Sequence, residues 1–332
     1  MTIPTMIAGV AFHVPETVIT NEDLTKILDT SDEWITSRTG IKERHLCSGD
    51  ENSNDLGIAA AKKAIENAKI NPEEIDMIIA AASAPHYAYP SCGCVIQAAI
   101  GAKNATAYDI TAACSGLIFG MRIAKAFISS GMCKTVLVVA TDNNSKFMDW
   151  TDRSTCVLFG DGAGAMVLKE SVDGVEDIME IETVSDGEKG VFIRMPLSGE
   201  NCPLVEPNTQ EPLKVYMNGK EVYKFVVTTM PDAIAGCVER SGHTPEEIDY
   251  LIPHQANVRI IDAMAERLGY SSEKVIVNIH KYGNTSAASI PIAMCEAIQE
   301  GKIKLPCKAI LTGFGAGMTY GTAIVRLREG IC

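Results

Sequence analysis

No stretch of the 332-residue sequence is apolar over the ~18 residues that a membrane-spanning helix requires. The first ten residues also lack the basic segment that precedes the apolar core of a secretory signal. Basic residues are in the minority, with 29 Lys and Arg against 42 Asp and Glu and a net charge of −13. Such a charge excludes broad nucleic-acid binding, which needs basic surface to replace the counterions of the phosphates. We therefore expect a cytoplasmic protein that binds neither nucleic acid nor membrane.

Patterns typical of metal sites and disulfide frameworks are missing too. The eleven cysteines include no C-x-x-C pair, and the nearest approach, Cys92-Gly93-Cys94, has no second pair at ligand spacing. A closed zinc site needs four ligands, and disulfide frameworks belong to small oxidised domains rather than to a chain with a full core. We expect no metal, and we interpret most of these thiols as small buried apolar side chains.

The sequence contains an internal duplication. The segment PEEID at 72–76 recurs at 245–249, and the same order of predicted elements surrounds both copies. The matching pairs are helices 57–68 and 230–241, strands 77–82 and 250–253, strands 105–111 and 274–279, helices 115–130 and 286–301, and strands 134–140 and 308–312. Strands separated by helices imply parallel pairing, and two such units imply two similar sheets packed around shared helices. The sequence thus predicts an α/β fold with halves at residues 1–174 and 175–332.

Each half also contains a glycine-rich segment, at 160–164 and 313–317. A dinucleotide-binding loop leads from a strand into a helix, so that the helix N-terminus meets the pyrophosphate. Here each segment leads into a further predicted strand, which excludes that function. We interpret the first segment as a tight hairpin that needs positive φ.

Three residues with suitable chemistry follow predicted strands. Cys114 lies between small residues at the first turn of a predicted helix, where backbone amides and the helix dipole favour a thiolate. His254 follows strand 250–253, and chemistry in open α/β sheets collects at the carboxyl ends of strands. Asn284 lies at a second strand-to-helix turn. From position alone, a buried structural cysteine, a structural histidine and an N-cap asparagine remain open interpretations.

The duplication favours the catalytic interpretation. The offset that relates the PEEID copy at 245 to the copy at 72 also relates position 284 to position 111, so Asn284 corresponds to the turn just before Cys114. The two halves therefore bring equivalent turns, one with cysteine and one with asparagine, towards a common axis. Cysteine, histidine and asparagine together form a recognised constellation for nucleophilic catalysis.

Five ordered motifs extend this pattern over essentially the whole chain. They are TSDEWI at 30–35 with RTGI at 38–41, ACSG at 113–116, FGDGAG at 159–164, PHQAN at 253–257 and GNTS at 283–286. In these motifs the chain resembles the β-ketoacyl-acyl carrier protein synthase III family of thiolase-fold condensing enzymes. The resemblance implies a thiolase-like α/β fold, internally duplicated, with two mixed sheets in five αβαβα layers. It also implies an acyltransferase that initiates fatty acid biosynthesis.

The resemblance implies a mechanism for the three candidate residues. Cys114 would take an acyl group from an acyl-coenzyme A, and malonyl-acyl carrier protein would then lose carbon dioxide. His254 and Asn284 would donate hydrogen bonds to the malonyl thioester oxygen as an enolate develops. Backbone amides of Cys114 and Ala316 would stabilise the tetrahedral oxyanion, and such donors commonly contribute ~3 kcal/mol each. No cofactor or metal is implied, and the family's homodimer is expected.

Residues that bind coenzyme A are assigned in the same way. Trp34 and Arg153 would hold the adenine between them with Arg38 nearby, since an indole and a guanidinium both stack on aromatic bases. Judged from the sequence alone, Trp34 also fits ordinary packing, and Arg153 also fits an ordinary surface charge. The residues implied for the pantetheine tunnel are Thr30, Gly219, Tyr223, Ala256 and Asn257.

Two features of the implied site depart from the family. Tyr89, placed in the acyl pocket with Phe159, stands where many members carry a phenylalanine that reaches across the dimer. This departure leaves open whether the primer is acetyl, longer or branched. The residues implied for carrier-protein docking are Lys224, Arg259 and Arg267. Glu266 replaces a positive charge that some members carry beside them.

Related activities and a non-catalytic function are the alternatives. A thiolase-fold ketosynthase or ester-forming acyltransferase of secondary metabolism would share these motifs, although ester formation needs no enolate donor pair. A hydroxymethylglutaryl-CoA synthase would need an acidic general base near Cys114, for which no motif is present. A non-catalytic acyl-CoA-binding scaffold would not need His254 and Asn284.

Overall fold

The structure, a computed structural model, describes residues 2–197 and 199–332. Its strands are β1 (Thr5–His13), β2 (Val18–Thr20), β3 (Glu43–His45), β4 (Met77–Ala81), β5 (Thr106–Ile110), β6 (Thr135–Asp142), β7 (Gly162–Glu170), β8 (Ile178–Ser185), β9 (Ile193–Arg194), β10 (Tyr216–Met217), β11 (Tyr250–Pro253), β12 (Cys307–Gly315) and β13 (Thr319–Leu327). Its helices are α1 (Asn21–Leu24), α2 (Asp32–Thr39), α3 (Ser53–Ala68), α4 (Cys92–Ile100), α5 (Gly116–Ser129), α6 (Gly219–Arg240), α7 (Val258–Leu268), α8 (Ile279–Tyr282) and α9 (Ser289–Gln299). Of the helices in the described ranges, none combines the length and apolar character needed to cross a membrane.

Two mixed sheets with matching topology form the framework. In the first, the order is β1-β7-β6-β4-β5, with β6, β4 and β5 parallel and β7 antiparallel to β6 and β1. In the second, the order is β8-β13-β12-β11, with β11 parallel to β12 and β13 antiparallel to both neighbours. The four strands of the second sheet correspond in order and direction to β1, β7, β6 and β4 of the first, as expected of a duplicated unit. The proposed boundary between residues 174 and 175 stays a prediction.

The second half departs from the prediction at the counterpart of β5. Residues 274–279 do not form the predicted strand, and Val275 makes only an isolated bridge to Leu251. The backbone N–H of Asn278 donates to the side-chain oxygen of Gln255 at 3.0 Å, so the chain leaves the sheet and enters α8. The strand prediction is therefore wrong: the segment pairs with β11 at a single bridge, and the Asn278 amide bonds to a side chain instead of to a neighbouring strand.

Helices α5 and α9 lie between the two sheets. Helix α9 is buried at each position from Ser289 to Ala297, and α5 buries Leu117, Met121 and Ala124 at helical spacing. A helix that is apolar on all sides belongs in an interior layer. Helices α3 and α4 pack on the outer face of the first sheet, and α6 and α7 on that of the second. The layers run αβαβα, which confirms the predicted arrangement.

The first glycine-rich segment does not form the predicted hairpin. Strands β6 and β7 are joined by residues 143–161, and the glycines enter β7 itself. Close packing explains them instead: a Cβ on Gly160 would lie 2.2 Å from the carbonyl oxygen of Tyr282, and one on Gly164 would lie 2.1 Å from Cγ of Pro291. Both contacts join the first half of the chain to the second. In the second segment, Gly317 has a φ of +138° in the turn between β12 and β13.

We expect Gly160→Ala to lower the free energy of unfolding by about 1–3 kcal/mol, the usual range for overpacking a close contact. The added methyl group would meet a backbone carbonyl, which cannot rotate away as a side chain can. Gly187→Ala is the matched control, because a Cβ there has no atom within 4 Å. Urea denaturation of both variants is the measurement, and equal midpoints would contradict the packing explanation.

Candidate active site

A cavity of about 600 Å³ lies where the two halves meet, and Cys114, His254 and Asn284 all line it. Each comes from a different segment: Cys114 precedes α5, His254 follows β11, and Asn284 precedes α9. The structure therefore brings together three residues that are far apart in sequence. Their roles stay a proposal, but their common position agrees with the sequence prediction.

The turns that carry these residues are matched across the duplication. Ala113 has a φ of +44° and Ser286 a φ of +54°, and the same offset separates them as separates the two PEEID copies. Left-handed conformations are rare for residues other than glycine and cost of order 1–3 kcal/mol each. Two such turns at equivalent positions indicate that both are held by the surrounding packing. Cys114 follows one turn, and Ala287 takes the equivalent place after the other.

Small side chains let these turns approach each other. A Cβ on Gly315, at the end of β12, would lie 2.6 Å from the Cys114 amide nitrogen. A Cβ on Gly116 would lie 2.8 Å from the Cβ of Ala81 and 3.4 Å from that of Ala287. The small residues around Cys114 thus reflect contact between the halves as well as space for a substrate.

The Cys114 thiol is not the stabilised thiolate that its position before α5 predicts. Burial raises the pKa of Cys114 to about 12, and the nearby charge of Asp142 acts in the same direction. A hydrogen bond from Ser286 lowers the pKa but does not outweigh burial. The thiol is therefore neutral at pH 7, and its attack on a thioester requires a group that accepts its proton.

His254 is neutral in the resting site. Its side chain is buried, and burial lowers the pKa of the imidazole to about 3. The ring is held by Ser289, whose Oγ lies 2.7 Å from Nδ1, and by an edge-to-face contact with Phe314 at a centroid distance of 5.3 Å. A neutral imidazole has one nitrogen that accepts a proton and one that donates a hydrogen bond.

Asn284 combines a structural and a chemical function. Its backbone N–H donates to the Leu158 carbonyl at 2.8 Å, and its carbonyl accepts from the Gly160 amide at 3.0 Å. Its Oδ1 accepts from the Ser286 amide at 2.8 Å, which supports the turn in the manner of a cap. The same bond orients the carboxamide, and its Nδ2 has no acceptor among the residues described. This N–H group remains available to an occupant of the cavity.

The two proposed oxyanion donors share one wall. Ala316 lines the cavity with Cys114, and Thr319 connects the segments that carry them. Its hydroxyl accepts from Ser115 Oγ at 2.8 Å and lies 2.9 Å from the Ala316 carbonyl and 3.2 Å from the Ala112 carbonyl. This network holds the turn before α5 against the turn after β12.

Most residues assigned to coenzyme A surround the same cavity. Trp34 lies at its mouth, with the Arg38 guanidinium 4.6 Å and the Arg153 guanidinium 5.2 Å from its ring centroid. A planar base between Trp34 and Arg153 needs about 7 Å, two contacts of about 3.5 Å, so Arg153 must move to admit one. Also lining the cavity are Gly219, Tyr223, Ala256 and Asn257. Thr30 and Arg153 are not among its lining residues.

Of the two residues assigned to the acyl pocket, one lines the cavity and the other does not. Phe159 is buried, lines the cavity, and forms an isolated bridge with Asn284. Tyr89 does not reach the cavity within this chain, and 87% of its surface is exposed. Its place in the pocket therefore depends on a second copy of the chain and stays a proposal.

The proposed docking residues differ in their surroundings. Arg259 lines the cavity mouth, and Lys224 is exposed on α6 one turn from the lining residue Lys220. Arg267 pairs with Asp232 at 3.0 Å, so much of its charge is already offset. Lys220 was not found by sequence reasoning, although the repeated basic residues along α6 are a signal that could have found it.

Asp142 is a second residue that sequence reasoning missed. It is buried at the end of β6, and its Oδ1 accepts from the Ser83 and Ala84 amides at 2.7 and 2.8 Å. Burial raises its pKa to about 6, although hydrogen bonds from these amides and from Ser286 oppose the shift. Its position at the carboxyl end of a parallel strand is the signal that could have found it.

Comparison with known proteins places this site in a family. A family model for the C-terminal part of 3-oxoacyl-[acyl-carrier-protein] synthase III matches residues 238–327, and a second model for the same synthase matches 108–187. The β-ketoacyl-[acyl-carrier-protein] synthase III of Clostridium acetobutylicum is 46% identical over 96% of this chain and 98% of its own. That of Aquifex aeolicus is 46% identical over 97% and 99%. The chain belongs to the β-ketoacyl-acyl carrier protein synthase III family.

Solved structures give the same result for the fold. The Aquifex aeolicus synthase III structure matches with a TM-score of 0.90 at 45% identity, covering 97% of this chain and all of that one. The thiolase-like fold and the family predicted from the motifs are confirmed, and the chain is a condensing acyltransferase. The priming β-ketosynthase of the R1128 polyketide pathway matches equally well in shape, with a TM-score of 0.91, but at 32% identity over 99% of this chain and 98% of that one. The alternative of secondary metabolism is therefore not favoured.

The pKa of His254 predicts how stability depends on pH. Unfolded histidine binds a proton near pH 6.5, whereas folded His254 does so near pH 3. The stability that neutral His254 contributes is therefore fully present above pH 6.5 and is lost as the pH falls towards 3, by about 1.4 kcal/mol per unit. Between pH 7.5 and 5.0 we expect the wild type to lose about 2 kcal/mol more than His254→Asn. Urea denaturation at both pH values tests this, and parallel losses would show that His254 is not held neutral.

Proposed function

We propose that the chain condenses a short acyl-coenzyme A primer with malonyl-acyl carrier protein. The products would be 3-oxoacyl-acyl carrier protein, coenzyme A and carbon dioxide, as in the first condensation of fatty acid biosynthesis. One observation supports this most directly: a neutral His254 lines the same cavity as Cys114 and Asn284, whose Nδ2 has no acceptor among the residues that the structure describes. Such a pair fits an enolate, which needs hydrogen-bond donors as its charge develops.

In the first half-reaction, Cys114 Sγ attacks the thioester carbonyl of the acyl-coenzyme A. Because the thiol is neutral, its proton leaves Sγ as the C–S bond forms. The amides of Cys114 and Ala316 stabilise the tetrahedral oxyanion. The C–S bond to coenzyme A then breaks, the leaving thiolate takes up a proton, so that none is gained or lost overall, and the acyl group remains on Cys114.

In the second half-reaction, the bond between the malonyl methylene carbon and its carboxylate breaks and releases carbon dioxide. The electron pair moves into the thioester, whose oxygen receives hydrogen bonds from His254 and from Asn284 Nδ2. The resulting carbon nucleophile attacks the acyl carbonyl on Cys114. The C–S bond breaks, and the 3-oxoacyl product stays on the carrier protein while Cys114 recovers its proton from solvent. These donors complete the chemistry, so we propose that no metal or cofactor takes part.

The proposal extends to assembly and location. Tyr87 and Tyr89 follow β4 with 50% and 87% of their surfaces exposed, and exposed aromatic side chains of this kind favour a protein interface. We propose a homodimer in which Tyr89 of one chain closes the acyl pocket of the other. We further propose a cytoplasmic enzyme, where coenzyme A thioesters and carrier protein are both available.

Asn284→Asp should separate the two half-reactions. Aspartate keeps the oxygen that accepts from the Ser286 amide but removes the Nδ2 donor and adds charge that repels an enolate. We expect condensation to fall about 10²–10³-fold, the usual loss for one such donor, while acetyl transfer to Cys114 changes little. Intact-protein mass spectrometry and carbon dioxide release measure the two steps. Cys114→Ser, which should form no acyl-enzyme, is the negative control, and an equal loss in both steps would contradict the assignment.

Charge reversal at Lys224 or Arg259 should weaken carrier-protein docking. An acidic enzyme needs local positive charge to meet an acidic partner, so we expect the KM for malonyl-acyl carrier protein to rise about tenfold. Arg267→Glu should have a smaller effect, because Asp232 already offsets that charge. Arg259→Glu should also raise the KM for the acyl-coenzyme A, since Arg259 lines the mouth, whereas Lys224→Glu should not.

Steady-state kinetics at two salt concentrations measure these effects. Higher salt should raise the wild-type KM for the carrier protein in the same direction, because exposed charges are screened beyond ~8–10 Å at physiological ionic strength. Lys62→Glu, an exposed position on α3 away from the cavity, controls for the change in net charge. A wild-type KM in the Lys224→Glu and Arg259→Glu variants would place docking elsewhere.

A further inference from the structure

The wall of the cavity contains a buried carboxamide that the proposed reaction does not use. Asn144 follows β6, lines the cavity, and has only 8% of its surface exposed. Its Nδ2 donates to the Gly160 carbonyl at 3.0 Å. Its Oδ1 has no donor among the residues that the structure describes. The side chain is thus fixed through its nitrogen, and its oxygen is the polar group that it offers to an occupant.

Hydrogen bonds place Asn144 close to Asn284. The Gly160 residue that accepts from Asn144 also donates its own amide to the Asn284 carbonyl. A single residue therefore connects Asn144 to Asn284 through hydrogen bonds. Apolar side chains line the same cavity and include Phe147, Val157, Phe159 and Ala84. The acceptor of Asn144 thus lies in a cavity that also contains groups suited to an acyl chain.

An acceptor in this position has a different effect on different primers. An apolar chain that covers Oδ1 removes its water and supplies no donor, and burying an acceptor without a partner is unfavourable. A chain of the same length that carries a hydroxyl group can replace the lost water with a hydrogen bond. An acetyl group is too short to cover Oδ1 or to reach it with a hydroxyl group, so it is affected less than a longer primer.

We propose that Asn144 determines primer selectivity. Its carboxamide oxygen disfavours apolar acyl groups that cover it and favours acyl groups of equal length that carry a hydroxyl. This inference rests on the proposed function only in taking acyl-coenzyme A thioesters as the substrates that acylate Cys114. It adds a preferred chemical class of primer to that function.

The test compares butyryl-coenzyme A with the two enantiomers of 3-hydroxybutyryl-coenzyme A. The readout is the second-order rate of acyl transfer to Cys114, followed by intact-protein mass spectrometry, so condensation is not needed. We expect the better enantiomer to react about tenfold faster than butyryl in the wild type, the effect of satisfying one buried acceptor. Butyryl reacting as fast as both enantiomers would overturn the proposal, and this comparison needs no variant.

The variant Asn144→Leu is the second part of the test. It removes the acceptor and should bring the hydroxybutyryl-to-butyryl ratio to one or below. Asn67→Leu is the matched control, because Asn67 also donates Nδ2 to a backbone carbonyl, that of Val10 at 2.8 Å, but lies on α3 away from the cavity. Its ratio should equal that of the wild type. A wild-type ratio in Asn144→Leu would overturn the assignment to Asn144.

The outcomes also separate this inference from the proposed function. Acylation by acetyl-coenzyme A without carbon dioxide release from malonyl-acyl carrier protein would contradict the condensation but leave the primer ratios meaningful. Normal condensation with no preference for a hydroxyl would contradict only the inference about Asn144.

Discussion

The active site depends on how closely the two halves approach each other at the turns before α5 and α9. Gly315 lies where a Cβ would come within 2.6 Å of the Cys114 amide nitrogen, and Gly160 where one would come within 2.2 Å of the Tyr282 carbonyl oxygen. Only small residues allow two backbone segments to meet at these distances. The left-handed conformations at Ala113 and Ser286 persist because this packing leaves the turns little freedom. The position of Cys114 follows from that contact.

Burial at this contact also determines the chemistry. Desolvation raises the pKa of Cys114 and lowers that of His254, so the cavity contains a neutral thiol and a neutral imidazole. Neutral groups avoid the cost of unpaired charge in a buried site. A neutral imidazole and the neutral carboxamide of Asn284 can both donate hydrogen bonds. One physical cause, burial, thus determines the protonation of both Cys114 and His254.

The sequence was most informative where a pattern repeats. The PEEID repeat, the predicted strands of both halves and the constant offset between them indicated the duplicated fold, because burial imposes the same apolar order on each copy. It was least informative where side chains replace backbone partners. In the segment 274–279, where a strand was predicted, the Asn278 amide bonds to the Gln255 side chain. The glycines at 160–164 looked like a hairpin, because a sequence does not distinguish a glycine needed for positive φ from one needed for close contact.

The sequence by itself determined the family and the fold class and pointed to Cys114, His254 and Asn284 as candidate catalytic residues, since these inferences depend on ordered motifs along the chain. Tertiary structure alone decided which residues share a cavity. It joined Asp142 to the turn after β4, Ser289 to His254, and Asn144 to the segment beside Asn284. It also decided the protonation of the site, because a pKa depends on how much water surrounds a group. Contacts between distant segments and the exclusion of solvent arise only when both halves are packed together.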